Sequence, residues 1–104
     1  MHNKAEILQQ IKACARSIEP QAEVVLFGSR ARDEAKEESD WDILILTPGP
    51  ADMKTERKFM HKLFEIELEH GVAISTLVYS KQDWDTKLRI TPLYKNIKKE
   101  GIAL

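Results

Sequence analysis

Two short segments of this chain carry residue types that handle phosphate and metal ions: Gly28-Ser29 and, ten residues further on, Asp40-Trp41-Asp42. A Gly-Ser turn at the end of an apolar run lets backbone N–H groups approach an anion closely, and the serine hydroxyl adds another donor. The same pair also serves as an ordinary turn after a strand. Asp40 and Asp42 are two apart, and residues two apart on a strand share a face. Both carboxylates therefore project together, while Trp41 faces the other way. Like charges held side by side repel, and withdrawal from water raises the cost. A divalent cation relieves both problems, and hard oxygen ligands suit Mg²⁺, which takes one or two carboxylates plus substrate phosphates. The plain alternative is a pair of solvated carboxylates at a strand end.

Arg30 and Arg32 follow the Gly-Ser turn directly. Guanidinium groups match phosphate geometry, so both are candidates to bind a phosphate group, and both could equally be solvated charges on a polar segment. Ser39 precedes the aspartate pair and has the chemistry for a local backbone hydrogen bond.

Elements of regular structure must position these groups. Ile7, Leu8, Ile11, Cys14, Ala15 and Ile18 recur at steps of three and four, which marks a helix over residues 4–18 with Pro20 beyond its end. Val24–Phe27 and Ile43–Leu46 are continuous apolar runs, each read as a strand buried on both faces. Residues 30–39 are too charged for core and form a loop or a short exposed helix. The breakers Thr47-Pro48-Gly49-Pro50 precede a long helix from about Asp52 to His70, with Phe59, Met60, Leu63, Phe64 and Ile66 on its core side and Gly71 as its stop. Residues 73–79 make a third strand, and Ser80–Asp83 resembles a capping box. A short helix around Trp84–Leu88 and a last one from Pro92 to about Lys99 complete the order, with Gly101 past its end. That order predicts an α+β (α/β-like) fold: a small mixed sheet of three or more strands covered by helices on one face.

Taken together, Gly-Ser, ten residues and then Asp-x-Asp on a strand resemble the signature of the minimal nucleotidyltransferases of the DNA polymerase beta superfamily. Here it stands as GSRARDEAKEESDWDILIL. The resemblance covers nearly the whole chain and implies a single nucleotidyltransferase-like domain over residues 1–104. It implies that Gly28 and Ser29, with Arg30 as a weaker candidate, hold the triphosphate of ATP or another nucleotide. Asp40 and Asp42 would be the catalytic residues and bind one or two Mg²⁺ ions. The implied reaction is in-line attack of an acceptor hydroxyl on the α-phosphorus, releasing pyrophosphate.

Members of that family usually carry a third carboxylate on the following strand. Here the strand reads Val72-Ala73-Ile74-Ser75-Thr76-Leu77-Val78-Tyr79, without Asp or Glu, and Ser75 is the best match for the position. A serine neither carries the charge nor acts as an efficient base near neutral pH. Another carboxylate could substitute (Glu65, Glu67 and Glu69 lie near in sequence), two carboxylates could work slowly, or the domain could bind without turnover. Two functions follow. One is transfer of AMP to a hydroxyl on a protein or small molecule. The other is a non-catalytic module that masks a partner. The resemblance implies a small helical protein of the HEPN type as that partner, in a toxin-antitoxin pair, and a homo-oligomer is also open.

The remaining candidates are weaker. His61 and His70, nine residues apart, fall about 900° apart around one helix, half a turn out of register, so they cannot share a metal. Trp84 and Tyr94 read as packing residues, and Lys95, Lys98 and Lys99 as a solvated edge. The lone Cys14 excludes an internal disulfide and any cysteine zinc site, and reads as core. Sixteen basic residues face seventeen acidic ones, so net charge demands no nucleic acid partner. No stretch approaches the ~20 apolar residues needed to span a bilayer. The N-terminal Met-His-Asn-Lys-Ala-Glu lacks the apolar run of a signal peptide. A cytoplasmic setting is the expectation.

Overall fold

A strand sends alternate side chains to opposite faces, and the two central strands of this chain send apolar side chains both ways, so both faces need cover. The structure, a computed structural model, describes residues 4–104. The first three residues of the N-terminal stretch read above for a leader lie outside it. Helix α1 (Lys4–Ile18) leads into β1 (Glu23–Phe27), the single turn α2 (Gly28–Ala31) and, after a loop, β2 (Trp41–Thr47). Helix α3 (Met53–His70), β3 (Ile74–Ser80), α4 (Lys81–Asp85), α5 (Pro92–Glu100) and β4 (Ile102–Ala103) follow. The sheet runs β3-β2-β1-β4, with β2 and β3 parallel and the other two pairs antiparallel.

Val24 and Leu26 of β1 and Trp41, Ile43 and Ile45 of β2 face α1 and α3. There they meet Ile7, Ile11 and Ala15 from α1 and Phe59, Leu63 and Ile66 from α3. This is the helix cover that the apolar periodicity predicts. The opposite face bears Leu44 and Leu46, with Val25, Phe27, Leu77 and Tyr79 beside them. Beyond the expectation of one covered face, Trp84 of α4 and Ile97 of α5 pack here. Tyr79 stacks on Trp84 at a centroid distance of 5.9 Å and Tyr94 packs tilted against Trp84 at 5.0 Å, which confirms the packing role of the last two. The two short helices cover only the end of that face where Leu44 and Leu46 lie. Asp42 stays half-buried and Ser75 exposed at the other end.

Helix boundaries follow local chemistry. Asp52 accepts a hydrogen bond from Thr55 N at 2.8 Å and starts α3; Gly71, at φ 66°, ends it in the left-handed conformation. Ser80 accepts from Asp83 N at 3.1 Å, so α4 begins at Lys81, earlier than the apolar pattern around Trp84 suggests. Thr91 caps α5, with Pro92 in its first turn. Strand β4 has no sequence signal: it is two residues long, and β1 supplies the pairing that makes it a strand. Among the described residues no helix is long and apolar enough to cross a membrane.

Phe59 is fully buried between α3 and the sheet. Truncation to alanine is expected to cost about 3–5 kcal/mol, read as a lowered urea midpoint with an unchanged denaturant slope.

Candidate functional site

The antiparallel register of β1 and β2 pairs Phe27 with Asp42, which brings the next residue, Gly28, against the Asp42 side chain. A Cβ added at 28 would fall on an Asp42 carboxylate oxygen and 3.0 Å from its Cγ. Gly28 also sits at φ 73°, where side chains are strained. Space and backbone conformation thus demand glycine independently. The chain turns at once into α2, whose first N–H groups lack carbonyl partners within the helix. Ser29 follows, half-buried.

The charged segment between α2 and β2 is an ordered loop, and Arg30 orders it. Its Nη2 donates to the carbonyls of Ser39 at 2.7 Å, Glu37 at 3.1 Å and Lys36 at 3.4 Å, and its Nε donates to Ser39 at 3.1 Å. The same guanidinium lies 4.1 Å over the ring of Trp41. Ser39 does bond locally, accepting from Lys36 N at 2.9 Å. Arg30, a candidate phosphate ligand in the sequence, is thus turned toward the loop and fixes the residue next to Asp40. Arg32 is committed as well. It pairs with Glu34 at 3.1 Å and forks onto Glu100 of α5 at 3.0 and 3.1 Å, contacts that raise its pKa.

Asp40 is exposed and Asp42 half-buried, while Trp41 is sealed in the α1/α3 core, as the alternation requires. The Asp42 carboxyl is pushed above its ordinary value, first by burial and then by Asp40, with Arg32 opposing. The parallel register places Ser75 directly beside Asp42, on the same face of the sheet as Leu77 and Tyr79. The helix glutamates do not reach this corner. Glu67 accepts from Ile74 N at 3.2 Å, and Glu65 and Glu69 line a groove between α3 and α1, on the opposite face of the sheet. Among the described residues no group of three His, Cys, Asp or Glu is placed to hold a metal. The corner therefore offers two carboxylates, the Ser75 hydroxyl and a deficit of positive charge, which fits a hard divalent cation whose remaining ligands come from phosphate and water.

The other candidates fall elsewhere. His70 lies 2.9 Å from Gln10 Oε1 and 3.1 Å from Glu69 Oε2, and His61 is exposed on the far side of α3. Burial pushes the Cys14 thiol up, away from reactivity. Lys98 rests 5.4 Å over the Tyr94 ring. Sequence reading missed the Arg30 loop clamp and the Arg32–Glu100 strap. The first has a signal only in retrospect, an arginine just before a charged loop; the second joins residues 68 apart and has none.

A carboxyl with a raised folded-state pKa binds its proton more tightly when folded than when unfolded. Its contribution favours the fold below the ordinary carboxylate range and is lost as pH rises through the raised value. Asp42→Asn is therefore expected to raise the Tm at pH 7, an advantage that shrinks to nothing as pH falls below that range. Arg30→Ala is expected to speed proteolytic cleavage within residues 32–40. Arg30→Lys should not rescue, since an ammonium cannot fork onto several carbonyls while lying flat on Trp41.

Comparison with known proteins gives this geometry a family. The model of the nucleotidyltransferase domain matches residues 8–104. The putative protein adenylyltransferase MJ0141 of Methanocaldococcus jannaschii is 38% identical over 58 residues, 56% of this chain and 59% of its own length. The putative protein adenylyltransferase MJ0604 of the same organism is 36% identical over 81 residues, 78% of this chain and 75% of its own. The chain thus spans less than two thirds of the first of these relatives. Among solved structures, a toxin-antitoxin crystallised with AMP-PNP superposes with a TM-score of 0.68 at 19% identity, over 91% of this chain and 69% of that one. A mutant form of the toxin-antitoxin MntA-HpeT gives 0.61 at 20% identity, over 100% of this chain and 72% of that one. These two likenesses speak for the fold. With the domain match running over nearly its whole length, the chain belongs to the nucleotidyltransferase domain family.

Proposed function

We propose that this protein transfers AMP from ATP to a hydroxyl on a partner protein or small molecule, in a Mg²⁺-dependent reaction. The observation that carries the reading is the packing of Gly28 against Asp42, which joins the phosphate-binding turn to the paired carboxylates of β2. In this reading the backbone N–H groups of Gly28 and Ser29, with the Ser29 hydroxyl, donate to the β- and γ-phosphates. Asp40 and Asp42 hold the metal. Arg30 acts through the loop, keeping Asp40 in place. When bound, Mg²⁺ neutralises the phosphate oxygens and aligns the acceptor oxygen for attack on the α-phosphorus. The new bond is acceptor O–P, the broken ones are the acceptor O–H and the bond from the α-phosphorus to the bridging oxygen; the proton passes to solvent water, and pyrophosphate leaves with the P–O electron pair. Both relatives named as adenylyltransferases support the choice of AMP. The toxin-antitoxin structures support a protein partner, for which we take a small helical protein of the HEPN type, in the cytoplasm.

One observation favours a second reading. The residue in register beside Asp42 is Ser75, so the strand adds no charge for a second metal and no base for the acceptor hydroxyl. In that reading the chain binds nucleotide or partner and masks a helical toxin without turnover.

Calorimetric titration of ATP with and without Mg²⁺ tests both. Under the enzyme reading, binding requires Mg²⁺ and vanishes in the Asp40→Asn/Asp42→Asn double variant. Labelled AMP then accumulates on the acceptor, and Ser75→Asp raises that rate tenfold or more. Mg²⁺-dependent binding without transfer in either the parent or Ser75→Asp selects the masking reading. Absence of ATP binding by the folded parent overturns the stand-alone enzyme.

A further inference from the structure

Helix α3 has a second apolar face that the fold does not use. Phe59, Leu63 and Ile66 are buried against the sheet, whereas Met53, Met60, Phe64 and Leu68 are 68, 47, 52 and 69% exposed. At 3.6 residues per turn these four fall within an arc of about 80° and form a stripe about 22 Å long. Scattered exposed apolar residues are unremarkable, but a continuous row of four large ones marks a contact surface. The sequence pattern assigns Met60 and Phe64 to the core side of this helix. The structure corrects that: Phe59, Leu63 and Ile66 fill the available width, and the neighbouring stripe turns outward.

The charges of α3 are unevenly spread along its length. Lys54, Arg57, Lys58 and Lys62 outnumber Glu56 in the first half, Glu65, Glu67 and Glu69 follow in the second, and Lys62, Glu65 and Glu69 lie toward α1. Cations near the start of a helix and anions near its end oppose the macrodipole. The i,i+4 neighbours Lys54, Lys58 and Lys62, and Glu65 with Glu69, repel one another as well. Among the described residues the exposed Arg57 and Glu65 have no ion-pair partner. A surface that is unfavourable within one copy is complementary to itself when reversed, because an antiparallel copy sets the basic half against the acidic half and aligns the two helix dipoles favourably.

We propose that this face of α3 is the contact between two copies of the chain, packed antiparallel about a two-fold axis passing near His61. Met53 of one copy then meets Leu68 of the other, the Met60 and Phe64 side chains interleave at the centre, and Arg57 faces Glu65 of the second copy twice over. The symmetry is that of an isologous dimer, the commonest closed assembly. The second copy is the occupant chosen because it supplies both the apolar row and the reversed charges. The candidate nucleotide corner lies on the other side of the sheet and stays open in this arrangement.

The test is sedimentation velocity of the full chain over a wide concentration range. A monomer–dimer equilibrium is expected, abolished by Phe64→Glu, whose circular dichroism should match the parent because the position is exposed. Arg57→Glu and Glu65→Arg should each weaken the dimer about tenfold or more, since each creates two like-charge contacts. Mixing these two variants should restore dimerisation, since both contacts are then attractive. A parent that stays monomeric at every concentration overturns the proposal, as does a dimer indifferent to Phe64→Glu. A mixture that assembles no better than either variant alone overturns the antiparallel arrangement.

Discussion

The registration of β1 against β2 sets everything that follows at the candidate site. An antiparallel pair fixes which residue lies opposite which, and here it sets Phe27 opposite Asp42 and thereby Gly28 beneath the Asp42 carboxylate. The contact leaves no room for a Cβ, so the turn into α2 passes within reach of the acidic side chain. A slip of one residue would send Asp42 into the α1/α3 core and Trp41 into solvent. That exchange would cost the burial of the largest side chain on the strand and strand a carboxylate among aliphatic groups. The core residues of β2 thus hold the acidic pair in place.

Around that contact the chain keeps the charged segment ordered with very little apolar material. Arg30 carries much of this, combining a guanidinium stacked on Trp41 with hydrogen bonds to the loop carbonyls, and Lys36 N donating to Ser39 Oγ adds to it. The arrangement couples the core to the loop: the buried ring offers its face to the cation, and the cation offers its donors to carbonyls that would otherwise need water. Arg32 extends the same logic by strapping α2 to the end of α5 through Glu100. Two arginines that read as phosphate clamps are therefore mainly holding the walls of the site. The electrostatic consequence is that neither fully compensates Asp42, whose carboxyl remains shifted up by burial and by Asp40.

The helices divide their work by the faces of the sheet. α1 and α3 seal one face along its length, while α4 and α5 seal the other only where Leu44, Leu46 and Leu77 need cover. The uncovered end is where Asp42 and Ser75 lie side by side. α3 has more apolar surface than the sheet can use. The excess appears as an outward stripe of Met53, Met60, Phe64 and Leu68.

Much of this was legible in the sequence. The elements followed from local rules: steps of three and four for α1 and α3, continuous apolar runs for β1 and β2, the capping box at Ser80, Pro92 in the first turn of α5, and Gly71 as a stop. The fold family was suggested by the resemblance of Gly28-Ser29 and Asp40-Trp41-Asp42, at their spacing, to a known signature, a short-range motif that survives without neighbours. Parity on a strand also set Trp41 and Asp42 on opposite faces, and the family pattern suggested Ser75 for the position of the third carboxylate. Only the tertiary structure decided contacts between residues far apart in the chain: Gly28 under Asp42, Arg32 on Glu100, and the two residues of β4 made a strand by β1. It also decided which of the apolar residues of α3 enter the core, since helical periodicity fixes their spacing but not the angle at which the helix meets the sheet. Local chemistry is written residue by residue; which long-range partners meet depends on strand register and packing angle, and these are properties of the assembled fold.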